Sequence, residues 1–510
     1  MPRTLPRSSV SFALLAAATA WLCIAMPVFS QEAYYWTYAQ HPDLSYFDHP
    51  PMVAWLIWLG THLLGNGAAG IRLGTWACGM ATAWFGWQLL RDFGIDEKGR
   101  NAWVLLGLVS PILTMTHFLA NPDAPLVCFW TLTMLALWRA RSGSFGWWMV
   151  AGAAAGAALL SKYSAAFLAV GGVALFVADP VMRRQLKRPA PWLAVVVAAA
   201  VFLPVICWNL ANHFESFRFQ TADRFAKGDA GTRWLLEMAV GQIGVFQPIL
   251  AVLLPAAVWW HARRRPLRDP RSLWLLAFGA PLPVYMVFNA IWIEVKINWL
   301  APAVVPLIVA MIVWWRESGA AVLRSRAVRY LAPGLLLVPL LVPFAPLIRM
   351  IPSGRGSSWT GWDEIAKTAE RWEDRIDEED GIEGNIFFFG ADYRDAAQLG
   401  RALRMEWDAE GEHQVIPGQP DSGEPTMAQN VLSMPGLQFD HWEPPRARIG
   451  QDAIFVLTRP EQRSAMVEKA SAHFRSLEKV ERVVVREFGV QVLAADVYVC
   501  RDYRGPENRP

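Results

Sequence analysis

The sequence predicts a mainly α, polytopic membrane protein of about eleven transmembrane helices followed by a C-terminal soluble α/β domain. Three observations predict it. Charge density changes along the chain: residues 1–350 hold 43 charged side chains and residues 351–510 hold 48, although the second stretch is less than half as long. Net charge splits at the same place, +13 before and −10 after, so the overall +3 describes neither part. Apolar runs long enough to cross a ~30 Å hydrocarbon core recur only in the first part. The expected domains are a transmembrane domain over 1–350, with a first outer loop over 30–66, and an extracytoplasmic α/β domain over 351–510. At 54% hydrophobic residues, with 27 Trp, the chain is neither disordered nor fibrous. Its basic residues sit in short loops between apolar runs, which argues against nucleic acid as a partner.

The apolar runs fall near 9–29, 68–90, 102–120, 123–139, 146–160, 163–179, 190–210, 236–260, 272–292, 298–315 and 330–348. The first, behind Arg3 and Arg7, is longer than a signal-peptide core and lacks a small-residue cleavage site, so it reads as a retained helix. With the N-terminus cytoplasmic, the inner loops hold 20 of the 28 basic residues of the first part, among them Arg139, Arg141, Arg183, Arg184, Arg265, Arg268, Arg324, Arg326 and Arg329. An odd number of spans then places the acidic tail outside. The same orientation puts Glu32, Asp43, Asp48, Asp123, Glu215, Asp223, Asp229, Glu237 and Glu294 on the outer face, which is where chemistry is expected. Five scattered cysteines, without CxxC spacing or His partners, support neither a disulfide framework nor a zinc site.

The outer loops are unusual. QEAYYWTYAQ (31–40) predicts one or two helical turns, and Pro50-Pro51 starts a second helix, MVAWLIWLGTHLL (52–64), too short to span and apolar enough to lie in the membrane interface. Between them YFDHPP (46–51) sets Asp48 and His49 on a rigid turn. Asp123, in ANPDAP, stands at a helix start, where a carboxylate commonly serves as a cap. Lys162-Tyr163 and Lys296 with Asn298-Trp299 stand at further outer junctions, where lysines commonly snorkel to headgroups. Together these groups supply a cation for a phosphate, aromatic faces for a sugar and a carboxylate for a proton.

EAYYW followed by YFDHPP, then NPDAP, SKYSAAFL (161–168), Trp208-Asn209 with His213 and ESFRFQ (215–220), and EVKINWLAPA (294–303) resemble the bacterial GT-C polyprenyl-phosphate-sugar glycosyltransferases. The nearest of these are the lipid A aminoarabinose transferases and the protein O-mannosyltransferase-like enzymes. The resemblance implies a GT-C fold and an inverting transfer of a sugar from a lipid-linked monophosphate to an acceptor on the outer face of the inner membrane. It implies no certain cofactor beyond that donor as co-substrate; membrane lipids, and a glycolipid such as lipid A, a glycan or a protein as acceptor, are the expected partners. In that family the first outer loop begins Asp-Glu, the Asp being the catalytic carboxylate; here the pair is Gln31-Glu32. Glutamine cannot take a proton as a carboxylate does, so Glu32, with Asp123 and Asp48, is the expected catalytic set. Lys162 is the first choice for the phosphate, then Lys296 or Arg72; Tyr35, His49, Tyr163, Asn298 and Trp299 complete the expected substrate-binding set. Glu32, Asp48, His49 and Asp123 are also possible ligands of a divalent metal, which no spacing demands.

Beyond residue 351 the pattern predicts a charged helix (362–379), a strand (385–390), a helix (392–405), a Pro/Gly-rich stretch (417–436), a strand (453–457), a helix (460–475) and two β-rich runs (480–488, 491–500). No Ser or Cys nucleophile beside a His is evident there, and the expected role is packing over the outer loops or admitting the acceptor. Two other functions share many of these features: a lipid-linked sugar transporter or flippase, and an inactive relative that binds the donor. The near absence of charge from span centres and of internal repeats weighs against transport.

Overall fold

Proline and short polar side chains decide where the helices begin. Asp96, Asp179 and Asp269 accept hydrogen bonds from the backbone N–H groups of Gly99, Val181 and Arg271, and Pro111, Pro180, Pro189, Pro248, Pro270 and Pro281 occupy first-turn positions. The computed structural model describes residues 7–223, 232–264, 269–318, 332–352, 360–380, 386–410, 426–442 and 444–506. Arg3, Asp229, Arg265, Arg268, Arg324, Arg326 and Arg329, and much of the Pro/Gly-rich stretch, lie outside them. The chain divides into two compact units, Met1–Ala25 with Asp43–Pro343, and Met26–Pro42 with Phe344–Pro510. The segment expected to form the first outer loop is thus divided between the units after Pro42.

The first unit is a helical bundle with helices at Arg7–Ala25, Met52–Leu64, Ala68–Asp92, Glu97–Val109, Asp123–Ala140, Phe145–Ser161, Phe167–Ala178, Pro189–Ala211, Thr232–Phe246, Pro248–Arg263, Pro270–Gly279, Pro281–Asn289 and Ala301–Ser318. It is a multi-pass membrane unit. Among the described residues five helical segments are long and apolar enough to cross a bilayer, six if the pair Arg233–Phe246 and Pro248–Arg263, bent by 103°, is one span. That is fewer than the eleven apolar runs, and the structure gives reasons. The run over 102–120 is broken at Ser110-Pro111, because proline has no N–H to continue the ladder. Phe145–Ser161 and Tyr163–Ala178 are apolar but short.

Small residues bring the helices together. A Cβ on Gly152 would lie 2.3 Å from the Ala194 carbonyl oxygen, and one on Gly156 2.7 Å from that of Ala198. This small-xxx-small stripe lets Phe145–Ser161 lie directly on the backbone of Pro189–Ala211. The opposite side of Pro189–Ala211 leaves Trp192, Val195, Val196 and Leu203 exposed, as a lipid-facing surface requires. The predicted inner loops are tied to one another by ion pairs: Arg139 to Asp92 at 2.6 Å, Arg141 to Asp179 at 2.7 Å, Arg271 to Glu317 at 2.5 Å, and Arg316 to Asp96.

The second unit is the α/β domain, a five-stranded sheet in the order β2-β1-β3-β5-β4 (β1 Ile386–Gly390, β2 Thr426–Met427, β3 Asp452–Thr458, β4 Phe474–Glu487, β5 Val490–Tyr503). β1 runs parallel to β2 and β3, while β5 pairs antiparallel with β3 and β4. β1 is buried on both faces, and its period of two divides it between two cores. Ile386 and Phe388 meet Ile365, Leu399 and Leu403; Phe387 and Phe389 meet Phe455, Phe474 and Tyr503. The β4–β5 turn uses Phe488 and Gly489, both at positive φ, as a tight hairpin requires.

The aromatic segment predicted as one or two turns is an eleven-residue helix, Ser30–Gln40, and it belongs to this unit. Tyr34 lies 4.7 Å from Tyr393 between ring centroids, its hydroxyl accepts the Gln438 N–H at 3.2 Å, and the Gln398 amide donates to the Val28 carbonyl at 2.9 Å. At the C-terminal ends of the parallel strands β1 and β3, Arg463 holds Asp392 at 2.6 Å and Asp395 at 2.5 Å, and Thr458 donates to Asp395. Burial alone would raise the Asp392 carboxyl. The Arg463 charge and the backbone N–H groups of Asp395 and Arg394 outweigh it and hold that carboxyl below its usual range. Asp395 is pushed up instead, by complete burial and by the Asp392 charge.

Candidate active site

Asp123 is the first residue of the helix Asp123–Ala140, yet it is not that helix's cap. The Asn121 side-chain oxygen accepts the N–H groups of both Asp123 and Ala124, each at 3.1 Å. The NPD spacing thereby releases the Asp123 carboxylate for other partners. Lys162, at the end of Phe145–Ser161, donates to its Oδ1 at 2.7 Å, and Asn298, in the turn Ile297–Leu300, donates to its Oδ2 at 2.5 Å. Asp123 is 1% exposed and the Lys162 side chain 14%. Three helix junctions far apart in sequence therefore meet on one buried carboxylate. A lysine so held keeps its charge in place, with further N–H donors beyond the one given to Asp123.

The neighbouring Tyr163 hydroxyl lies 2.7 Å from the Ser216 hydroxyl and within electrostatic reach of Asp48. The YFDHPP turn is braced from the same segment: the Gln220 amide donates to the Asp48 carbonyl at 2.6 Å, and the Asn209 side-chain oxygen accepts the Phe217 N–H at 3.3 Å. Trp208 donates its indole N–H to Asp43 at 2.9 Å. Asp48 and His49 face one another at 3.9 Å on the turn. Sequence reasoning singled out Trp208, Asn209 and ESFRFQ as a pattern but assigned Asn209, Ser216, Gln220, Asp43 and Asn121 no place. The signal was there in Asn121, two positions before the carboxylate.

Other expected residues are placed differently. Arg72 is fully buried, with Nη1 donating to the Cys23 carbonyl at 3.0 Å at the C-terminal end of Arg7–Ala25 and the guanidinium 5.7 Å from the Phe118 ring. That use of its charge follows from the helix dipole. Lys296 is half exposed and pairs with Glu294 at 2.6 Å. Trp299 packs beside Met238, Leu282 and Val295. Glu32 and Tyr35 lie in the second unit. Glu32 is fully buried, its Oε2 accepting the Phe29 N–H at 3.0 Å at the helix start, and Gln31 donates to the Tyr35 hydroxyl at 3.2 Å. Among the described residues no three His, Cys, Asp or Glu side chains are grouped to hold a metal ion.

The second unit also joins a serine and a histidine that sequence spacing kept apart. Ser433, at φ 56°, lies 2.9 Å from His473 Nε2, and His473 Nδ1 lies 2.8 Å from the Lys469 carbonyl. The N–H groups of Ser433 and Met434 are already given to the carbonyls of Asn430 and Gln429. Those two donors are taken, and the contact reads as a clamp between turn and helix.

The family model of dolichyl-phosphate-mannose-protein mannosyltransferases matches residues 48–208. Over its whole length the chain is similar to the crystal structure of ArnT from Cupriavidus metallidurans bound to undecaprenyl phosphate, with a TM-score of 0.61 at 18% identity, covering 96% of this chain and 97% of that one. The chain has the GT-C fold. In sequence and fold it is similar to the GT-C polyprenyl-phosphate-sugar glycosyltransferases that its motifs resemble.

Two curated GT-C relatives are the lipid A galacturonosyltransferase RgtD of Rhizobium johnstonii and the undecaprenyl phosphate-alpha-4-amino-4-deoxy-L-arabinose arabinosyl transferase of Pseudomonas paraeruginosa. RgtD is 30% identical over 285 residues, 55% of this chain and 59% of RgtD. The arabinosyl transferase is 29% identical over 270 residues, 47% of this chain and 46% of that protein. The chain thus spans about half the length of the curated relatives it matches. The matched region 48–208 contains Asp48, His49, Arg72, Asp123, Lys162 and Tyr163.

Proposed function

We propose that the chain is an integral-membrane glycosyltransferase that moves a sugar from a polyprenyl-phosphate donor to an acceptor on the periplasmic face of the bacterial inner membrane. The observation that carries this reading is the buried Asp123 carboxylate, which fixes Lys162 and Asn298, with Tyr163 next to Lys162 in the chain and within electrostatic reach of Asp48. The names of the relatives support it, since they describe transfer to lipid A and the use of undecaprenyl-phosphate sugars. Lipid A is accordingly the first acceptor to test, with other glycans and proteins after it.

In this reading the acceptor oxygen attacks the anomeric carbon as the bond from that carbon to the phosphate oxygen breaks, with inversion. The acceptor proton passes to a carboxylate and the polyprenyl phosphate departs with its bonding electrons. Both Asp123 oxygens are engaged, so Asp123 positions Lys162, and the Lys162 ammonium offsets the charge growing on the phosphate. Glu32 takes the acceptor proton, and Asp48 shares the task or orients the acceptor.

Purified full-length protein in lipid nanodiscs, given radiolabelled polyprenyl-phosphate sugars and a lipid extract, tests this directly. Covalent transfer of label to a lipid acceptor is expected. Binding without transfer would instead support an inactive donor-binding relative, for which Gln31 at the family's Asp position is the motive. Movement of intact donor across a bilayer would support a flippase.

A further inference from the structure

Next to the Asp123 centre the first unit has a cavity of about 260 Å³ lined by Trp234, Glu237, Glu294, Val295, Lys296, Ile297 and Asn298. Its position follows from local packing. The helix Thr232–Phe246 approaches the turn Ile297–Leu300 at Gly241, where a Cβ would lie 2.8 Å from Ile297 Cγ2, and the Gln242 amide donates to the Ile297 carbonyl at 2.7 Å. Two walls are thus held together by a glycine contact and a hydrogen bond. Asn298 is part of the lining, and its amide nitrogen donates to Asp123 Oδ2 at 2.5 Å, so one lining residue bonds the carboxylate that holds the Lys162 ammonium.

We infer that this cavity receives the transferred sugar of the donor and selects it by charge, with Trp234, Glu237, Glu294 and Lys296 as the specificity-determining side chains. The inference rests on the proposed glycosyltransferase activity. The volume lies below the roughly 300–1,000 Å³ of drug-sized sites and suits a single sugar ring. Trp234 offers an aromatic face for the apolar side of such a ring, and Asn298 and the carboxylates offer partners for its hydroxyl groups.

The lining charges favour one class of sugar. Glu237 and Glu294, 48% and 49% exposed at the side chain, are set against one lining cation, Lys296. Lys296 is given to Glu294 at 2.6 Å, and Arg233, outside the lining and 76% exposed, reaches Glu237 at 2.7 Å. A sugar carrying an ammonium group can take the place of either exposed cation. A uronate would meet two carboxylates and would have to draw Lys296 from its partner. The two relatives described above act on sugars of opposite charge by their names, a galacturonosyl group and an amino-arabinosyl group, so overall similarity does not decide the matter.

The test compares three polyprenyl-phosphate donors, bearing an amino sugar, a neutral hexose and a hexuronate, with the full chain in nanodiscs, measuring both donor binding and transfer. The wild-type protein is expected to prefer the amino sugar over the uronate. Glu294→Lys and Glu237→Gln should each lower the amino-to-uronate preference about fivefold or more, the scale of one partly exposed charge contact. Transfer with a preference for the uronate, or variants that change all three donors alike, would overturn the inference while leaving the activity standing. Charge-ordered binding that the variants shift, without any transfer, would refute the activity and keep the cavity's role.

Discussion

Removing the Lys162 ammonium separates structural from chemical roles at the candidate site. Lys162 and Asp123 meet at 2.7 Å with side-chain exposures of 14% and 2%. At that distance and an effective dielectric constant near 20 the gross attraction is about 6 kcal/mol, much of it offset by the desolvation of both ions. Lys162→Met leaves a buried carboxylate with only Asn298 of its two donors, and should destabilise the protein by about 3–5 kcal/mol. The double variant Lys162→Met with Asp123→Asn removes both charges and should recover most of that loss. Transfer should behave otherwise. If Lys162 faces the leaving phosphate, both the single and the double variant should lose about 10- to 100-fold in kcat/KM for the donor, the scale of one hydrogen bond to a charged group. Thermal unfolding in detergent and donor titration in nanodiscs read the two effects apart. A double variant with wild-type transfer would refute the phosphate role, and a single variant of wild-type stability would refute the buried pair.

Three further outcomes follow from the geometry. Glu32→Gln should retain the Ser30–Gln40 helix by circular dichroism while losing transfer at least a hundredfold, and full transfer by Glu32→Ala would remove Glu32 from the mechanism. Asn121→Ala deletes the cap shared by Asp123 and Ala124, so it should cost about 1 kcal/mol and weaken donor use as Asp123 is drawn toward the vacant N–H groups; a transfer assay beside thermal unfolding checks both effects. The Asp392 carboxyl is held below its usual range in the folded chain, so its stabilisation is complete above the ordinary carboxylate value and is lost as pH falls through the lowered one. Asp392→Asn should therefore lower the unfolding temperature at neutral pH and flatten its decline on acidification, and an unchanged acid profile would dissociate Asp392 from that decline.

Much of this could be read along the chain. The apolar run IFFFG and the long β-rich runs near the C-terminus are local patterns, and β1, β3 and β5 lie close to them, whereas β4 begins at Phe474, inside the expected helix 460–475, and the short β2 lies in the Pro/Gly-rich stretch. YFDHPP, NPDAP and EVKINW marked the segments that supply the site, because each carries a turn residue and a polar group at a helix junction. What the pattern obscured was partnership. A carboxylate opening a helix looks the same whether it caps that helix or faces another element, and only Asn121 taking both N–H groups distinguishes the two. Lys162 is the first choice for the phosphate in sequence, with Lys296 or Arg72 next; the structure gives Arg72 to the end of a helix and Lys162 to Asp123.

The sequence by itself determined that there is a membrane part and a charged α/β part, since burial in lipid and burial against a sheet demand different compositions and periods. It determined the residue types available for chemistry and the junctions that carry them. Tertiary structure decided which of those residues meet. It attached the aromatic helix Ser30–Gln40 to the α/β unit, because the Tyr34 and Tyr38 rings find partners in Tyr393, Phe439 and Trp442. It also gathered residues 123, 162 and 298 onto one carboxylate. Contacts across such sequence distances depend on how helices pack, and helix packing here is set by glycines and small side chains whose effect appears only once two surfaces touch.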